Sequence, residues 1–255
     1  KLAISLNVIG LINVQFAVKN GDIYVLEVNP RASRTVPFIS KAIGISIARI
    51  AARIMTGEKL IRFNLEKRIS NIFAIKEAVF PFNKFPNVDV LLGPEMKSTG
   101  EVMGIDKNFG LSFAKSQMAC GNELPVSGTA FISVKDKDKK NALNFAKKLK
   151  ELNFKLSATS GTAKYLNNNG INCKTINKVR EGSPHIVESL NRKNIELVIN
   201  TTEGTKSISD SYSLRRSALV NKIPYCTSLA AANACIEAIN SLKNKKIKVK
   251  AIQEL

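Results

Sequence analysis

The chain has 255 residues, and at on the order of 150 residues per domain this length points to two domains. Hydrophobic residues make up 44% and charged residues 23%, enough apolar surface to build cores, which excludes wholesale disorder. Cys120, Cys173, Cys226 and Cys235 show no C-x-x-C spacing and are accompanied by a single histidine, His185. That pattern excludes a zinc cluster and a disulfide scaffold and is expected of reduced cytoplasmic thiols.

The net charge is +19, from 39 Lys and Arg against 20 Asp and Glu. The basic residues are spread along the chain, aromatic strands of the RNA-binding type are missing, and the pattern reads as a solvated lysine surface, so no nucleic-acid partner is expected. No apolar run reaches the roughly 18 residues of a membrane span, and the opening stretch carries Asn7 and Asn13 with no small-x-small cleavage pattern. No membrane association is expected. The chain opens on Lys1 inside an apolar segment, as an internal piece of a longer protein would.

Leu11 to Val18 and Ile23 to Val28 are apolar runs around Asn20-Gly21, a hairpin signal. Matching Val14, Phe16 and Val18 to Tyr24, Leu26 and Val28 as one face requires a three-residue loop or a bulge. The other face carries Gln15, Glu27 and Asn29. These oxygens suit a hard cation such as Mg²⁺, which takes one or two protein carboxylates and leaves the remaining positions to phosphates and water. Arg31 and Arg34 follow, and guanidinium forks match phosphate oxygens. The same residues equally fit a cross-strand polar pair with two surface arginines.

A helix follows with Ile47, Ile50, Ala51 and Ile54 on one face and Gly57 as its stop. AIKEAVFPF, around Glu77, is strand-like, and the Pro/Gly-punctuated run 83–104 is expected to be ordered loop. The turn-rich segment 117–128 marks the domain boundary, placed at 121/122.

From Gly128 onward β-branched runs alternate with amphipathic helices: TAFISV, a helix over 138–152, FKLSA, a helix over 161–169, INCKTI, a helix from Ser183, IELVIN, a helix over 209–222, PYCT, and a helix from Ser228. Such alternation predicts a doubly wound parallel sheet, with ligands beyond the carboxyl ends of its strands. The segments there are Lys135 to Lys139, TSGTA at 159–163, Lys178, Asn200-Thr201-Thr202 and Thr227. A strand running into TSGTA and a helix offers amide hydrogens, a glycine and hydroxyls to a phosphate, although Ser and Thr before a helix are also ordinary caps. No carboxylate suited to proton abstraction is evident in this crevice, which weighs against a lyase. His185 and Arg215-Arg216 read as capping or packing and as surface ion pairs.

NVQFAVKNGDIYVLEVNPRASRTVPF and VLLGPEMKSTGEVMG closely resemble the end of an ATP-grasp domain in the carbamoyl phosphate synthetase large-subunit family. SATSGTAKYLNNNGI, NKVREGSPHI, VINTTEG and SLRRSALVNKIPYCTSL resemble the regulatory domain that closes that subunit and shares its fold with methylglyoxal synthase. The resemblance implies an α/β chain: part of an ATP-grasp domain over 1–121, with a mixed, largely antiparallel sheet, then a methylglyoxal-synthase-like doubly wound domain over 122–255. It implies that Gln15, Glu27 and Asn29 hold Mg²⁺ or Mn²⁺ on ATP, with K⁺ as a further ion. Arg31 and Arg34 would stabilise the phosphoryl group passing from ATP to carbamate. Lys139, Thr159, Thr162, Lys178, Asn200 and Thr202 would bind uridine or inosine monophosphate, and Glu77, Tyr225 and Thr227 would hold ornithine. The sequence departs from some relatives at Ser160, where they carry histidine, which bears on effector preference. A glutamine amidotransferase small subunit would be a partner, reached through parts of the family's subunit outside these residues, and the assembly would be an oligomer. Alone, the chain is expected to make no carbamoyl phosphate. The alternative is a stand-alone nucleotide-monophosphate-binding regulatory module.

Overall fold

In the computed structural model, which describes residues 1–65, 71–82, 88–91, 98, 100–251 and 254, the chain forms two compact units, Lys1–Asn71 with Lys248–Leu255, and Ile72–Ile247. The division by packing therefore falls at a different place from the change of sequence pattern near 121/122.

The first unit contains α1 (Leu2–Ser5), the antiparallel strands β1 (Asn13–Lys19) and β2 (Asp22–Asn29), and helices α2 (Thr35–Ile43) and α3 (Ile47–Met55). Asn20 and Gly21 form a two-residue turn, with φ of 53° and 91°, the left-handed pair that suits the twist of a hairpin. The bulge anticipated from the sequence is present. Val14 faces Val28 and Gln15 faces Glu27, then the register slips between Gln15 and Phe16, so that Phe16 faces Val25 and Val18 faces Ile23. The expected pairings of Phe16 with Leu26 and Val18 with Tyr24 are thus corrected, because the extra residue is accommodated within β2 and not in the loop. α3 matches the expected helix; Ala51 is its buried residue. The segment before it is a separate helix, α2, ended by Gly44.

The second unit opens with the antiparallel pair β3 (Phe73–Val79) and β4 (Gly100–Asp106), followed by α4 (Phe109–Ala119). The end of the run expected to be loop is therefore strand; residues 83–87, 92–97 and 99 of that run lie outside the described residues. Asn108 caps α4, its side-chain oxygen accepting the Leu111 N–H at 3.0 Å. Ala114 on this helix joins the main core.

The five-stranded sheet follows, with β5 (Thr129–Ser133), α5 (Lys139–Glu151), β6 (Lys155–Ala158), α6 (Ser160–Asn168), β7 (Lys174–Thr175), α7 (Ile186–Asn191), β8 (Leu197–Asn200), α8 (Thr205–Asp210), α9 (Tyr212–Val220), β9 (Tyr225–Cys226) and α10 (Leu229–Asn244). All its pairings are parallel, in the order β7-β6-β5-β8-β9. The side-chain alternation of the strands divides the core. Ala130, Ile132, Leu197 and Ile199 face α5, α6 and α10, while Phe131 and Val198 meet Ile186 and Leu190 of α7 and Leu214 of α9 on the other side. Both faces are covered, and strand order reverses between β5 and β8, where a crevice must open. One expected helix, 209–222, is two, because the chain breaks at Ser211. All four cysteines are free thiols.

Candidate functional site

A cleft of about 770 Å³ lies at that reversal point in the second unit. It is lined by Ser133 at the end of β5, Lys135 to Lys139 without Asp138, Thr159, Gly161 and Thr162 at the β6–α6 junction, Lys178, and Asn200 and Thr201 at the end of β8. Five of the six residues anticipated there, Lys139, Thr159, Thr162, Lys178 and Asn200, thus share one wall-to-wall space. Thr202 is adjacent in sequence but not in the lining; Thr201 is, and its hydroxyl accepts the Lys135 N–H at 3.2 Å.

The strongest feature of the cleft is the start of α6. Thr159 occupies the cap position in extended conformation, yet its side chain caps no amide of the helix. Its hydroxyl points instead to Ser133 Oγ at 3.4 Å, and the Thr162 hydroxyl accepts the Val134 N–H at 3.4 Å. The first-turn amides of α6 are therefore not occupied by a side-chain cap, and they carry the positive end of the helix dipole. A side chain added at Gly161 would meet the Lys139 ammonium, whose Nζ lies 3.5 Å from the Cβ position. Glycine thus leaves open the space between a helix N-terminus and a lysine, which is where an anion would gain most.

Contrary to the expectation from sequence, carboxylates do reach this cleft: Asp136, Glu203 and Asp210 line it. Each is paired with a cation: Asp136 with Lys139 at 2.7 Å, Glu203 with Lys137 at 2.5 Å and Asp210 with Arg180 at 2.7 Å. The hydrogen bond and charge of Lys139 hold the Asp136 carboxyl below its ordinary range, and those of Lys137 do the same for Glu203. With their carboxyls held low by the lysines, Asp136 and Glu203 are weak bases and poor proton abstractors. They leave the Lys178 ammonium without a carboxylate partner among the described residues.

Behind the cleft, Asn200 donates from Nδ2 to Tyr225 Oη at 2.5 Å. Burial pushes the Tyr225 phenol up to about 12, so it remains protonated. Arg215 is 2% exposed and donates to both Asp89 oxygens, at 2.8 and 2.5 Å, and to Ile208 O at 3.0 Å. The sequence reading of Arg215 as a surface ion-pairing residue is corrected: its guanidinium is buried, and its partner, the half-buried Asp89, lies 126 residues away. Glu77, on β3, accepts from Gln117 Nε2 at 3.1 Å, and burial raises its carboxyl above the ordinary range. Thr227 is exposed. No hydrogen bond joins Glu77 to Tyr225 or Thr227 among the described residues.

In the first unit the bulge keeps Gln15 opposite Glu27. Asn29 donates from Nδ2 to Glu27 Oε1 at 2.8 Å, which leaves Asn29 Oδ1, Glu27 Oε2 and the Gln15 carbonyl as acceptors on one edge of the hairpin. That donor set fits a hard divalent cation short of its full shell. Among the described residues no group of three or more His, Cys, Asp or Glu could hold a metal, so a cation here would rest on amide oxygens and one carboxylate. Arg31 and Arg34 follow β2, both exposed, and neither forms an ion pair among the described residues.

Comparison with known proteins finds matches over both parts of the chain. Residues 1–63 match the carbamoyl-phosphate synthase L chain, ATP binding domain, and residues 141–227 match the MGS-like domain. The carbamoyl phosphate synthase large chain of Mesorhizobium japonicum is 54% identical over 259 residues, covering 99% of this chain and 22% of that protein. Those of Pseudomonas syringae pv. tomato and Archaeoglobus fulgidus are 53% and 50% identical, over 97% and 100% of this chain and 23% and 24% of theirs. The chain belongs to the carbamoyl phosphate synthase large-chain family. It spans 22 to 24% of the length of these curated relatives. A methylglyoxal synthase crystal structure from Elizabethkingia anophelis aligns at 20% identity and a TM-score of 0.38, covering 44% of this chain and 79% of that one; the likeness is too weak to carry an argument. Within this carbamoyl phosphate synthase large-chain segment, Gln15, Glu27, Asn29, Arg31 and Arg34 fall in the matched ATP-binding part. Thr159, Thr162, Lys178, Asn200, Thr202, Tyr225 and Thr227 fall in the matched MGS-like part, and Lys139 lies just before it. No single helix among the described residues is long and apolar enough to cross a membrane.

Proposed function

We propose that the cleft beyond β5, β6 and β8 is an effector site for a nucleoside monophosphate, through which the synthetase to which this chain corresponds is regulated. The observation that carries this reading is the uncapped start of α6 beside Gly161 and the Lys139 ammonium. A phosphate there would accept from first-turn amides, with Lys139 and Lys178 as charged partners. Asn200, at the far side of the cleft, supplies a polar contact for the nucleoside, and Phe131, Val179, Ile186 and Leu214 supply apolar surface for a base. Thr202 would contribute from the β8 end.

In the same proposal, Gln15, Glu27 and Asn29 hold Mg²⁺ or Mn²⁺ in the ATP-binding part, and Arg31 and Arg34 bind phosphate oxygens as carbamate is phosphorylated to carbamoyl phosphate. The metal supplies charge neutralisation of the transferring phosphoryl group. The chain's own residues orient: the Asn29–Glu27 hydrogen bond fixes the carboxylate rotamer, and the arginines follow the strand close to the metal ligands. Glu77, Tyr225 and Thr227 are proposed to contact ornithine, 1–121 and 122–255 to be the functional division, a glutamine amidotransferase small subunit to be the partner, and the cytoplasm to be the compartment.

Isothermal titration of the full chain tests the central part. Uridine monophosphate is expected to bind and uridine, which lacks the phosphate, to bind at least tenfold more weakly, since a lost hydrogen bond to a charged group costs about 1.5 to 3 kcal/mol. Equal binding of the two would remove the phosphate site from the account.

A further inference from the structure

The connection from β5 to α5 carries three lysines, each with an internal carboxylate partner: Lys135 with Asp138 at 3.9 Å, Lys137 with Glu203 at 2.5 Å and Lys139 with Asp136 at 2.7 Å. The third pair is the one that water reaches most unequally. The Lys139 side chain is 21% exposed and that of Asp136 94%. A mostly buried ammonium needs an anion beside it, because its own hydration is curtailed. An almost fully solvated carboxylate loses little hydration by joining or leaving it. The same ammonium stands 3.5 Å from the Cβ position of Gly161, beside the uncapped start of α6. A phosphate seated on the α6 amides therefore meets a lysine that already holds an anion.

We propose that Asp136 is an affinity-setting residue of the effector cleft, an internal competitor for Lys139 that the phosphate of the ligand displaces. The proposal rests on the nucleoside monophosphate reading of the cleft and adds how that affinity is set. It follows from charge and reach. Lys139 holds the Asp136 carboxyl below its ordinary range, so it is ionised at neutral pH. Asp136 stands in the short turn that enters α5, three residues before Lys139, and its side chain can rotate into water without moving the helix. Once displaced, the carboxylate still lines the cleft and repels a dianion held there. Asp136 thus opposes a phosphate and is indifferent to the neutral nucleoside. Asp138 provides the internal comparison: it shares the turn and the charge, but it pairs with Lys135 and lies outside the lining.

The test is isothermal titration of the full chain with uridine monophosphate and with uridine. Asp136→Asn keeps the size of the side chain and removes its charge. It is expected to tighten uridine monophosphate binding by roughly two- to fivefold, the range of an exposed ion pair, and to leave uridine binding as it is. Asp138→Asn is expected to alter neither. Weaker or unchanged binding of uridine monophosphate in Asp136→Asn would overturn the proposal, because the carboxylate would then orient Lys139 or serve only the start of α5. Equal gains in the two variants, or a gain shared by uridine, would overturn it as well. If Asp138→Asn fails to fold, the uridine comparison alone decides. A wild-type chain that takes up no uridine monophosphate would instead overturn the reading of the cleft on which this one stands.

Discussion

Gly161→Val is expected to lower the affinity for uridine monophosphate by more than about a hundredfold while leaving the melting temperature no lower than that of the wild type. The two halves of this result have separate causes. Gly161 sits in the first turn of α6 without a positive φ, so a side chain is compatible with the backbone, and replacing glycine by valine within a helix gains roughly a few tenths of a kcal/mol. Its Cβ would enter the open space 3.5 Å from the Lys139 Nζ, and the methyls of valine would stand where a phosphate oxygen meets the amides. Losing two hydrogen bonds to a dianion at about 1.5 to 3 kcal/mol each gives roughly a hundredfold to ten-thousandfold. Titration and thermal melting of the purified chain check both halves; undiminished binding would show that the phosphate lies elsewhere.

Glu27→Gln is the second substitution with a large expected effect. In a full-length large chain carrying this segment it is expected to lower carbamoyl phosphate formation by at least about a hundredfold, since altering even outer-sphere partners of a metal costs 10- to 100-fold and this is the one carboxylate of the set. The amide that replaces the carboxylate keeps its shape and an oxygen to accept from Asn29, a bond of 2.8 Å in the wild type, so the hairpin should persist. Affinity for uridine monophosphate should be unchanged, because the two sites lie in different compact units. A rate unaltered at saturating Mg²⁺ would reduce Glu27 to the cross-strand partner of Gln15.

Much of this is legible in the residues, for identifiable reasons. The parallel sheet follows from alternation of β-branched runs with helices, and the residues at the carboxyl ends of its strands can be named because the fold dictates where a crevice opens. TSGTA is legible as a candidate but not as more, since a capping residue and a phosphate ligand look alike until the Thr159 side chain is seen to point away from the helix. Alternation along the hairpin requires an extra residue, while the position of the bulge within β2 depends on packing that alternation does not encode. Arg215 is not legible: it neighbours Leu214 and Ala218 on the buried side of α9, and its partner Asp89 comes from a segment with no periodic signal. The carboxylates Asp136, Glu203 and Asp210 escape a reading of the sequence for a related reason. They lie on or beside connections between regular elements, and Glu203 finds Lys137 across 66 residues.

A comparison of two lysines tests the central claim most directly, namely that a built cleft and not the diffuse +19 charge recognises the phosphate. Lys178 lines the cleft; Lys246 lies beyond the last helix, α10, which ends at Asn244. In isothermal titrations of the full chain with uridine monophosphate, Lys178→Ala is expected to weaken binding by roughly ten- to a hundredfold, the loss of one charge-assisted hydrogen bond, and Lys246→Ala to change it by less than about twofold. Equal losses for the two substitutions would contradict the account.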